Sequence, residues 1–331
     1  MGDETSAARV RSAATPSQGT PSHPLEATLP SGSQNYVLVT AVKNEQQTLG
    51  VTLASVLAQS VRPIEWVIVN DGSTDSTREI VDRASEQYPW IRALHREPSP
   101  HRSFAAVVHA LEAGLRHLRS TDYEFVGILD GDIHHPANYY ERMLREFAGD
   151  PQLGLVGGVV IDVGLPRDRF PRNRLDVPGA VQFFRRSCFE RFGGLLPIPE
   201  GGWDGLTCAM ARMNGYTTRL LTDVVVDHLK PRNISEGGVL RRKWQMGVRD
   251  YAMGYHPLFE ATKCLGRIAE PPLLLGAMAW GIGYCMASIQ DRTIIVPANV
   301  VAFVRREQLA RVRQAAGFST QFEPLRNDSI R

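Results

Sequence analysis

The stretch FVGILDGDIHHP, residues 125–136, passes from five largely apolar residues into two aspartates, two histidines and a proline. An apolar run of this length that ends at polar turn residues predicts a buried strand. Asp130 and Asp132 follow it directly, and alternate residues of an extended segment face the same side, so both carboxylates can reach one site. Gly131 leaves room for a ligand to approach. Such a carboxylate pair suits Mg²⁺ or Mn²⁺, and a solvated Asp-Gly turn is the alternative.

Three strand-and-helix units precede this stretch. Apolar runs at Tyr36–Val42, 65–69 and 91–97 each lead into a segment that we predict to be helical. Strands that alternate with helices predict an α/β fold, with a mainly parallel sheet and helices on both faces. Ligands of such sheets bind beyond the carboxyl ends of the strands. The acidic turns at these strand ends therefore predict one shared crevice.

Asp71 follows the second strand, in VNDGSTD. It could cap the next helix, or it could accept a hydrogen bond from a nucleobase. Ser76 and Glu79 have the spacing of a capping box, which predicts the start of that helix. Neither GxGxxG nor GxxxxGK[ST] follows the strand before Asp71 or the strand before Asp130, and this disfavours a dinucleotide site and a P-loop.

Composition narrows the class of protein. The chain has 331 residues and a formal net charge of +2, with basic and acidic residues interleaved, so we expect no nucleic-acid partner. Its four cysteines form no CxxC pair, which favours a reduced, cytosolic setting. Residues 1–34 are rich in small and polar residues and lack an apolar block, so we expect a disordered leader without a secretory signal.

The composition changes after about Arg232, from that of an α/β domain at residues 35–232 to a region at 233–331 that we expect to be helical. Leu273 to Ile289 carries no charge, and its length is at the lower limit for spanning a bilayer. A buried, a re-entrant and an interfacial helix are the alternatives. The following VVAFVRREQLARVR could lie on a membrane surface or on its own domain.

Three motifs carry a resemblance to a known family: AVKNE (41–45), VIVNDGSTDST (67–77) and ILDGD (128–132). In this order they resemble the inverting nucleotide-sugar glycosyltransferases of family two, whose catalytic domain has the A-type glycosyltransferase fold. The resemblance covers about residues 35–232. It implies a nucleoside diphosphate sugar as the donor, with its base at Asp71 and with Ala41 and Glu45 lining the same pocket.

The resemblance also implies a divalent cation. Asp132 would be the direct ligand of Mg²⁺ or Mn²⁺, and Asp130 would hold the ribose or the metal. His228, in VVVDHLKP, matches a histidine that many relatives contribute to the metal or the diphosphate, although a lone histidine is more often structural. His134 and His135 precede a proline, and we leave them out of the predicted metal site.

On the acceptor side, the family presents an acidic pair before a helix. Asp204, in PEGGWDGLTCAMARMNGY, matches the second acid and is the expected general base that takes the proton from the acceptor hydroxyl. Trp203 replaces the first acid, so it would reshape the acceptor pocket or stack on a sugar ring. Glu200 is the reserve base. Taken alone, Asp204 would be an ordinary helix cap.

The chain lacks the QxxRW motif of the processive family members. We therefore expect a hexosyltransferase that adds a single sugar to a glycan or lipid-linked acceptor. Because many relatives act on lipid-linked acceptors, the resemblance implies a peripheral position at the cytoplasmic face of the cell membrane. Arg241, Arg242 and Lys243 could meet an acceptor phosphate or lipid headgroups, or could form a solvated face.

Two other hypotheses remain open. A sugar nucleotidyltransferase also needs a divalent cation and an α/β nucleotide domain, but TAVKNEQQTLG lacks the glycine-rich, basic loop expected after its first strand. A catalytically inactive, membrane-docked scaffold is the other, and the missing first acid at Trp203 favours it.

Overall fold

The protein is represented by a computed structural model, which describes residues 34–97, 104–165, 173–230 and 238–317. The expected leader, apart from its last residue, lies outside these ranges, and so does the domain boundary expected near Arg232. The following description concerns the described residues.

Strands and helices alternate through the first half of the chain. The strands are β1 (Tyr36–Val42), β2 (Glu65–Asp71), β3 (Ile91–Arg96), β4 (Phe125–Ile128), β5 (Ile133–His134), β6 (Leu153–Asp162), β7 (Phe183–Arg185) and β8 (Thr217–His228). The helices are α1 (Leu49–Leu57), α2 (Thr77–Gln87), α3 (Ala105–His117), α4 (Tyr139–Gly149), α5 (Arg186–Phe192), α6 (Trp203–Met213), α7 (Gly238–Ala252), α8 (Pro257–Leu265), α9 (Leu275–Ile289) and α10 (Ala298–Ala315). A short 3-10 helix spans Gly179–Val181.

All eight strands form one mixed sheet in the order β3-β2-β1-β4-β7-β6-β8-β5. The neighbours from β3 to β4 run parallel, as do β6 and β8. β7 is antiparallel to both β4 and β6, and β5 is antiparallel to β8. The predicted α/β fold with a mainly parallel sheet is confirmed, and so is the helical region at the carboxyl-terminal end.

β1 shows why both faces of the sheet are covered. Tyr36 and Leu38 point into an apolar core that includes side chains of α1 and α4. The alternate residues Val37 and Val39 point into a second core with α3. Because a strand presents alternate residues to opposite faces, a strand buried on both faces is a continuous apolar run. Residues 36–42 have this pattern.

The start of α2 differs from the prediction. Ser76 occupies the N-cap position, but its side chain makes no capping hydrogen bond. Instead, Asp75 Oδ1 accepts the backbone N–H of Thr77 at 3.0 Å, and the Ser76 N–H donates to Gln46 Oε1 at 3.2 Å. The predicted capping box is therefore wrong, because the loop after β1 supplies an acceptor that the local spacing could not reveal.

α7 and α9 pack with their backbones in contact. A Cβ atom at Gly247 would lie 2.0 Å from the carbonyl oxygen of Trp280, and one at Gly283 would lie 2.1 Å from that of Trp244. Small residues allow such close approach of two helices. The two glycines therefore fix the antiparallel pairing of α7 with α9.

α10 packs on the α/β domain. Val301, Phe303 and Val304 are buried in an apolar cluster with Leu206 and Met210 of α6. Of the two alternatives for this segment, packing on its own domain is the one observed. Among the described helices, none combines the length and the apolar character that a membrane crossing needs.

Candidate active site

The strand order brings three polar loops to one edge of the sheet. β1 lies between β2 and β4, and all three run parallel, so their carboxyl ends meet at the same edge. The segment Ala41–Glu45 spans the end of β1, Asp71 ends β2, and Asp130–Asp132 follows β4. The acidic turns therefore lie at one edge of the sheet, where the predicted crevice would form.

Backbone and side-chain hydrogen bonds join the first two of these loops. The Asn44 N–H donates to Ser73 Oγ at 3.0 Å, and Asn44 Oδ1 accepts the N–H of Thr74 at 2.8 Å. The Glu45 N–H donates to Thr77 Oγ1 at 2.7 Å. Asn44 itself has a φ of 57°, in the left-handed region that asparagine tolerates better than most residues. The AVKNE and DGSTDST motifs thus form one connected rim.

Asp71 is buried at the end of β2. Its Oδ1 lies 2.8 Å from Nη1 of Arg96, its register partner at the end of β3. The helix-cap alternative for Asp71 is wrong, because α2 begins at Thr77 and Asp75 accepts the first N–H there. Arg96 therefore fixes the orientation of this carboxylate at the strand end.

Asp130, Asp132 and His228 form one cluster. One ligand atom from each lies within 4.8 Å of the others. β5 pairs with β8 so that Ile133 is opposite His228, which brings the histidine next to Asp132. His228 Nε2 lies 3.4 Å from Asp132 Oδ2, and its Nδ1 lies 3.4 Å from Asp162 Oδ1.

The electrostatics of the cluster fit a divalent cation. Burial raises the pKa of Asp132, and Glu45 adds to this effect while His228 and Lys230 oppose it. His228 Nδ1 is buried, and among the described residues its contact with Asp162 Oδ1 is an ion-pair distance without a hydrogen bond. Carboxylate oxygens and an imidazole nitrogen are ligands that Mg²⁺ and Mn²⁺ accept, and a cation would offset the crowded negative charge.

Gly131 has a packing role that the sequence did not predict. A Cβ atom here would lie 2.5 Å from a methyl carbon of Val42, and the Gly131 carbonyl accepts a hydrogen bond from Thr52 Oγ1 at 2.9 Å. The missing side chain therefore lets the loop pack against β1 and α1. That Gly131 leaves room for a ligand stays a prediction.

Asp204 lies in the first turn of α6, close to the cluster through the 3-10 helix. Its Oδ2 accepts the backbone N–H of Gly179 at 3.2 Å. The next residue, Ala180, accepts the N–H of Asp130 at 3.0 Å. Gln182 Nε2 also donates to the Asp204 carbonyl at 3.0 Å. The predicted base is therefore held one short segment away from the predicted metal ligands.

The neighbours of Asp204 differ in what they can do. Trp203 is 8% exposed, and its ring packs against Gly179, where a Cβ atom would lie 2.8 Å from it. The prediction that Trp203 stacks on an acceptor sugar is therefore wrong, because its ring is buried in the apolar core. Glu200 lies in the turn before α6 and is half-buried.

The two histidines left out of the predicted metal site face away from the cluster. His134 Nδ1 lies 3.5 Å from Asp227 Oδ2. His135 is buried, stacks on Tyr139 and contacts Gln59 Nε2 through Nδ1 at 3.0 Å.

Two residues at the site were not predicted. Lys230 Nζ lies 2.6 Å from Glu45 Oε2 and donates to the Asn44 carbonyl at 2.9 Å. Arg96 pairs with Asp71 across 25 residues of sequence. Lys230 stands two positions after His228, so proximity in sequence could have suggested it. No local signal in the sequence singles out Arg96.

The chain is similar to known sequences. The profile described as "Glycosyl transferase family 2" matches residues 37–203. Poly-beta-1,6-N-acetyl-D-glucosamine synthase of Staphylococcus aureus is 28% identical over 229 residues, which cover 68% of this chain and 48% of the synthase. The Staphylococcus epidermidis synthase of the same name is 31% identical, over 66% of this chain and 47% of its own. The chain thus spans about half the length of these relatives.

Two solved structures share the fold. The mannosyltransferase PcManGT from Pyrobaculum calidifontis, in complex with GDP-Man and Mn²⁺, aligns with a TM-score of 0.50 and 22% identity over 86% of this chain and 81% of that one. S. aureus TarS 1-349, in complex with UDP-GlcNAc, aligns with a TM-score of 0.51 and 14% identity over 88% and 94% of the two chains. At these identities the likeness shows the fold alone.

Proposed function

Because this chain belongs to glycosyl transferase family 2, we propose that it is a metal-dependent, inverting glycosyltransferase that moves one sugar from a nucleoside diphosphate sugar to a membrane-proximal acceptor. One observation carries the proposal. Asp130, Asp132 and His228 meet within 4.8 Å at the sheet edge where β2 ends in Asp71. The segment Gly179–Ala180 links Asp204 to this cluster, because the Gly179 N–H donates to Asp204 Oδ2 and the Ala180 carbonyl accepts the N–H of Asp130.

Each residue has a role on the donor side. Asp71 would accept a hydrogen bond from the base, with Ala41 and Glu45 lining the same pocket. Asp132, Asp130 and His228 would hold Mg²⁺ or Mn²⁺. A bound cation would supply Lewis-acid stabilisation of the diphosphate as negative charge grows on it. We add Lys230 to this set, because its ammonium group lies beside Glu45 and lowers the energy of an anion near Asp132.

On the acceptor side, Asp204 would act as the general base. Its Oδ2 accepts the Gly179 N–H, which supports a fixed direction for the carboxylate. A general base must lie within hydrogen-bond reach of the proton that it removes. The acceptor hydroxyl would therefore lie between Asp204 and the donor sugar, opposite the leaving diphosphate.

UDP-GlcNAc is the first donor to test, because the matched relatives are named for N-acetylglucosamine polymers and one structural neighbour was solved with UDP-GlcNAc. The absence of QxxRW supports transfer of a single sugar. The length of the product decides between one transfer and polymerisation, because a polymerase gives a ladder of masses.

The function is tested by incubating the full chain with a panel of nucleotide sugars, Mn²⁺ and glycan or prenyl-phosphate acceptors, with mass spectrometry of the products. We expect one added hexose residue, released nucleoside diphosphate, and an inverted anomeric configuration by NMR. Pyrophosphate release from a nucleoside triphosphate and a sugar phosphate would instead identify a nucleotidyltransferase. Absence of both products, with no nucleotide affinity in Mn²⁺, would leave the inactive scaffold.

We also propose that α9 docks on the cytoplasmic face of the membrane. The side of α9 that faces away from α7 carries five apolar residues that are 41–81% exposed: Leu275, Met278, Ile282, Met286 and Ile289. Antiparallel pairing places the start of α7, with Arg241, beside the end of this stripe. Apolar residues flanked by basic ones are typical of helices that lie in the interface of an anionic bilayer.

Vesicle co-sedimentation tests this surface. Wild-type protein should bind vesicles that contain phosphatidylglycerol, and the double change Met278→Glu with Ile282→Glu should release most of it. Val51→Glu, at an exposed apolar position of α1, is the matched control and should bind like wild type. Equal binding by the double variant and the control would rule out α9 as the docking surface.

A further inference from the structure

A cavity lies between α6, α8 and α10. Its volume is about 240 Å³. The charged residues that line it are Asp176, Arg212, Lys263, Arg267, Glu307 and Arg311. Four cationic side chains therefore face two carboxylates in a space bounded by three helices.

Both carboxylates of this cavity already have partners. Arg212 donates to Glu307 through two nitrogens, Nε to Oε1 at 2.7 Å and Nη2 to Oε2 at 2.8 Å. Asp176 accepts a hydrogen bond from Asn173 Nδ2, and its Oδ1 lies 3.4 Å from Arg212 Nη1. Arg212 and its two acids thus form an ion-pair network that joins α6 to α10.

Of the other three cations, Lys263 pairs with Asp250 and Glu260, whereas Arg267 and Arg311 keep donors available. Among the described residues, Arg311 makes no hydrogen bond or ion pair. Arg267 uses Nη1 alone, which lies 3.1 Å from each carboxylate oxygen of Glu270. Two guanidinium groups with unused N–H donors, Arg267 just after the end of α8 and Arg311 in α10, therefore face the same small space. Planar guanidinium groups match the oxygens of a phosphoryl group, and such charge-assisted hydrogen bonds are among the strong ones.

The cavity adjoins the predicted base. Gly205 and Leu206, which follow Asp204 in α6, form part of its wall. Burial raises the pKa of Asp176, Arg212 and Arg311 oppose this, and Asp204 adds to it. Asp204 and Arg311 are therefore both within electrostatic reach of the Asp176 carboxyl group.

We propose that this cavity binds a phosphoryl group of the acceptor through Arg267 and Arg311, while the acceptor hydroxyl lies at Asp204. The identification of the ligand as the acceptor rests on the proposed function, whereas the phosphoryl site itself rests on the cavity. The phosphoryl group could belong to a prenyl-linked or to a soluble sugar phosphate. Both share the chemistry that the two arginines recognise.

Calorimetric titration of the full chain with glucose 1-phosphate tests the site. EDTA is present throughout, so that no cation bridges the phosphate to Asp130 and Asp132. We expect binding by wild type, and a loss of about tenfold in affinity for Arg311→Gln and for Arg267→Gln, because each removes a charge-assisted hydrogen bond. Arg313→Gln changes an exposed arginine on the same helix and should bind like wild type.

Two results would overturn the site: no binding by wild type, or equal affinity in all four proteins. Circular dichroism and thermal melting confirm that each variant is folded, and Arg311→Lys should recover part of the affinity. UDP binding in Mn²⁺ is measured in parallel and should be equal in all variants. Loss of UDP binding by wild type with intact phosphate binding would reject the proposed function and retain the anion site.

A second titration with prenyl phosphate in detergent micelles distinguishes the sources. Tighter binding of the prenyl phosphate than of glucose 1-phosphate, lost in Arg311→Gln, assigns the site to a lipid-linked acceptor. Equal affinity for both assigns it to a soluble sugar phosphate. Prenyl phosphate binding that Arg311→Gln leaves unchanged places the lipid elsewhere and contradicts the proposal for this ligand.

Discussion

Lys230 balances the charge of the acidic sheet edge at the scale of single residues. Its Nζ lies 2.6 Å from Glu45, and it opposes the rise in the pKa of Asp132 that burial causes. A nucleoside diphosphate brings further negative charge to this edge. Lys230 can exchange its contact with Glu45 for a contact with the diphosphate, since Thr48 Oγ1 also donates to Glu45.

Replacement of Lys230 by Met should therefore weaken binding according to the number of phosphates on the ligand. We expect the affinity for UDP in Mn²⁺ to fall about tenfold, the affinity for UMP to fall less, and that for uridine to stay unchanged. Calorimetry with the three ligands measures the series. Lys43→Met, at an exposed position of the loop after β1 that carries Glu45, is the control. An equal loss for all three ligands would indicate a structural role instead.

Replacement of Asp204 should lower the rate of sugar transfer without weakening donor binding. Asp204→Asn keeps the size of the side chain and an oxygen that can accept the Gly179 N–H, but it removes the basic carboxylate. We expect kcat to fall by about 100-fold or more while the affinity for UDP stays within about twofold, because a general base contributes roughly this factor. Transfer at the wild-type rate would show that another group, with Glu200 as the first candidate, takes the proton.

At this scale, the sequence predicted the acids better than their partners. Asp130, Asp132 and His228 could be proposed because a strand end and a family motif mark them. Arg96 and Asp162 could not, because each reaches the site through strand pairing, Arg96 from β3 and Asp162 from β6. Register between distant strands is not encoded in local spacing.

At the scale of elements, the contact between α7 and α9 depends on two glycines. A side chain at Gly283 would collide with the backbone of Trp244, and backbone cannot move aside as a flexible side chain can. We expect Gly283→Ala to lower the free energy of unfolding by about 1–3 kcal/mol, as overpacking does. Chemical denaturation measures this value.

Gly281 on the same helix is the matched control. A Cβ atom there would meet the Cys264 sulfur at 3.7 Å, an ordinary contact distance. Gly281→Ala should therefore leave stability unchanged or raise it by up to about 1 kcal/mol, because alanine favours helix. Equal effects of the two changes would contradict the close packing of α7 against α9.

Elements were predictable where the periodicity was strong. β1 was predicted at its observed bounds, because its apolar run is bounded by polar residues. The capping box at Ser76 failed because Gln46, thirty residues earlier, accepts the N–H in question. The sequence did not decide whether the apolar face of α10 packs on a membrane or on its own domain, because an amphipathic helix has the same pattern in both cases.

At the scale of the whole molecule, a buried imidazole couples stability to acid. Burial lowers the pKa of His135 to about 4, below the value of about 6.5 in an unfolded chain. The unfolded chain therefore binds the proton first. The contribution of His135 to the free energy of unfolding is therefore fully present above about pH 6.5. It decreases as the pH falls towards 4, by about 3 kcal/mol in all.

Urea denaturation at pH 7.5 and pH 5.0 checks this coupling. His135→Phe keeps an aromatic ring beside Tyr139, and Gln59 Nε2 retains its bonds to the carbonyls of Ser55 and Pro136. We expect wild type to lose about 2 kcal/mol more than His135→Phe between the two pH values. The same pH dependence in both proteins would show that His135 is not the group responsible.

The proposed function requires that three distant acidic motifs converge on one cation-bridged diphosphate. Calorimetric titration of UDP into wild type and into Asp132→Asn, with Mn²⁺ and with EDTA, tests this convergence most directly. We predict that wild type binds UDP at least about tenfold more tightly in Mn²⁺ than in EDTA, and that Asp132→Asn shows no such difference. Equal affinity of wild type in Mn²⁺ and in EDTA, or a full metal effect in Asp132→Asn, would contradict it.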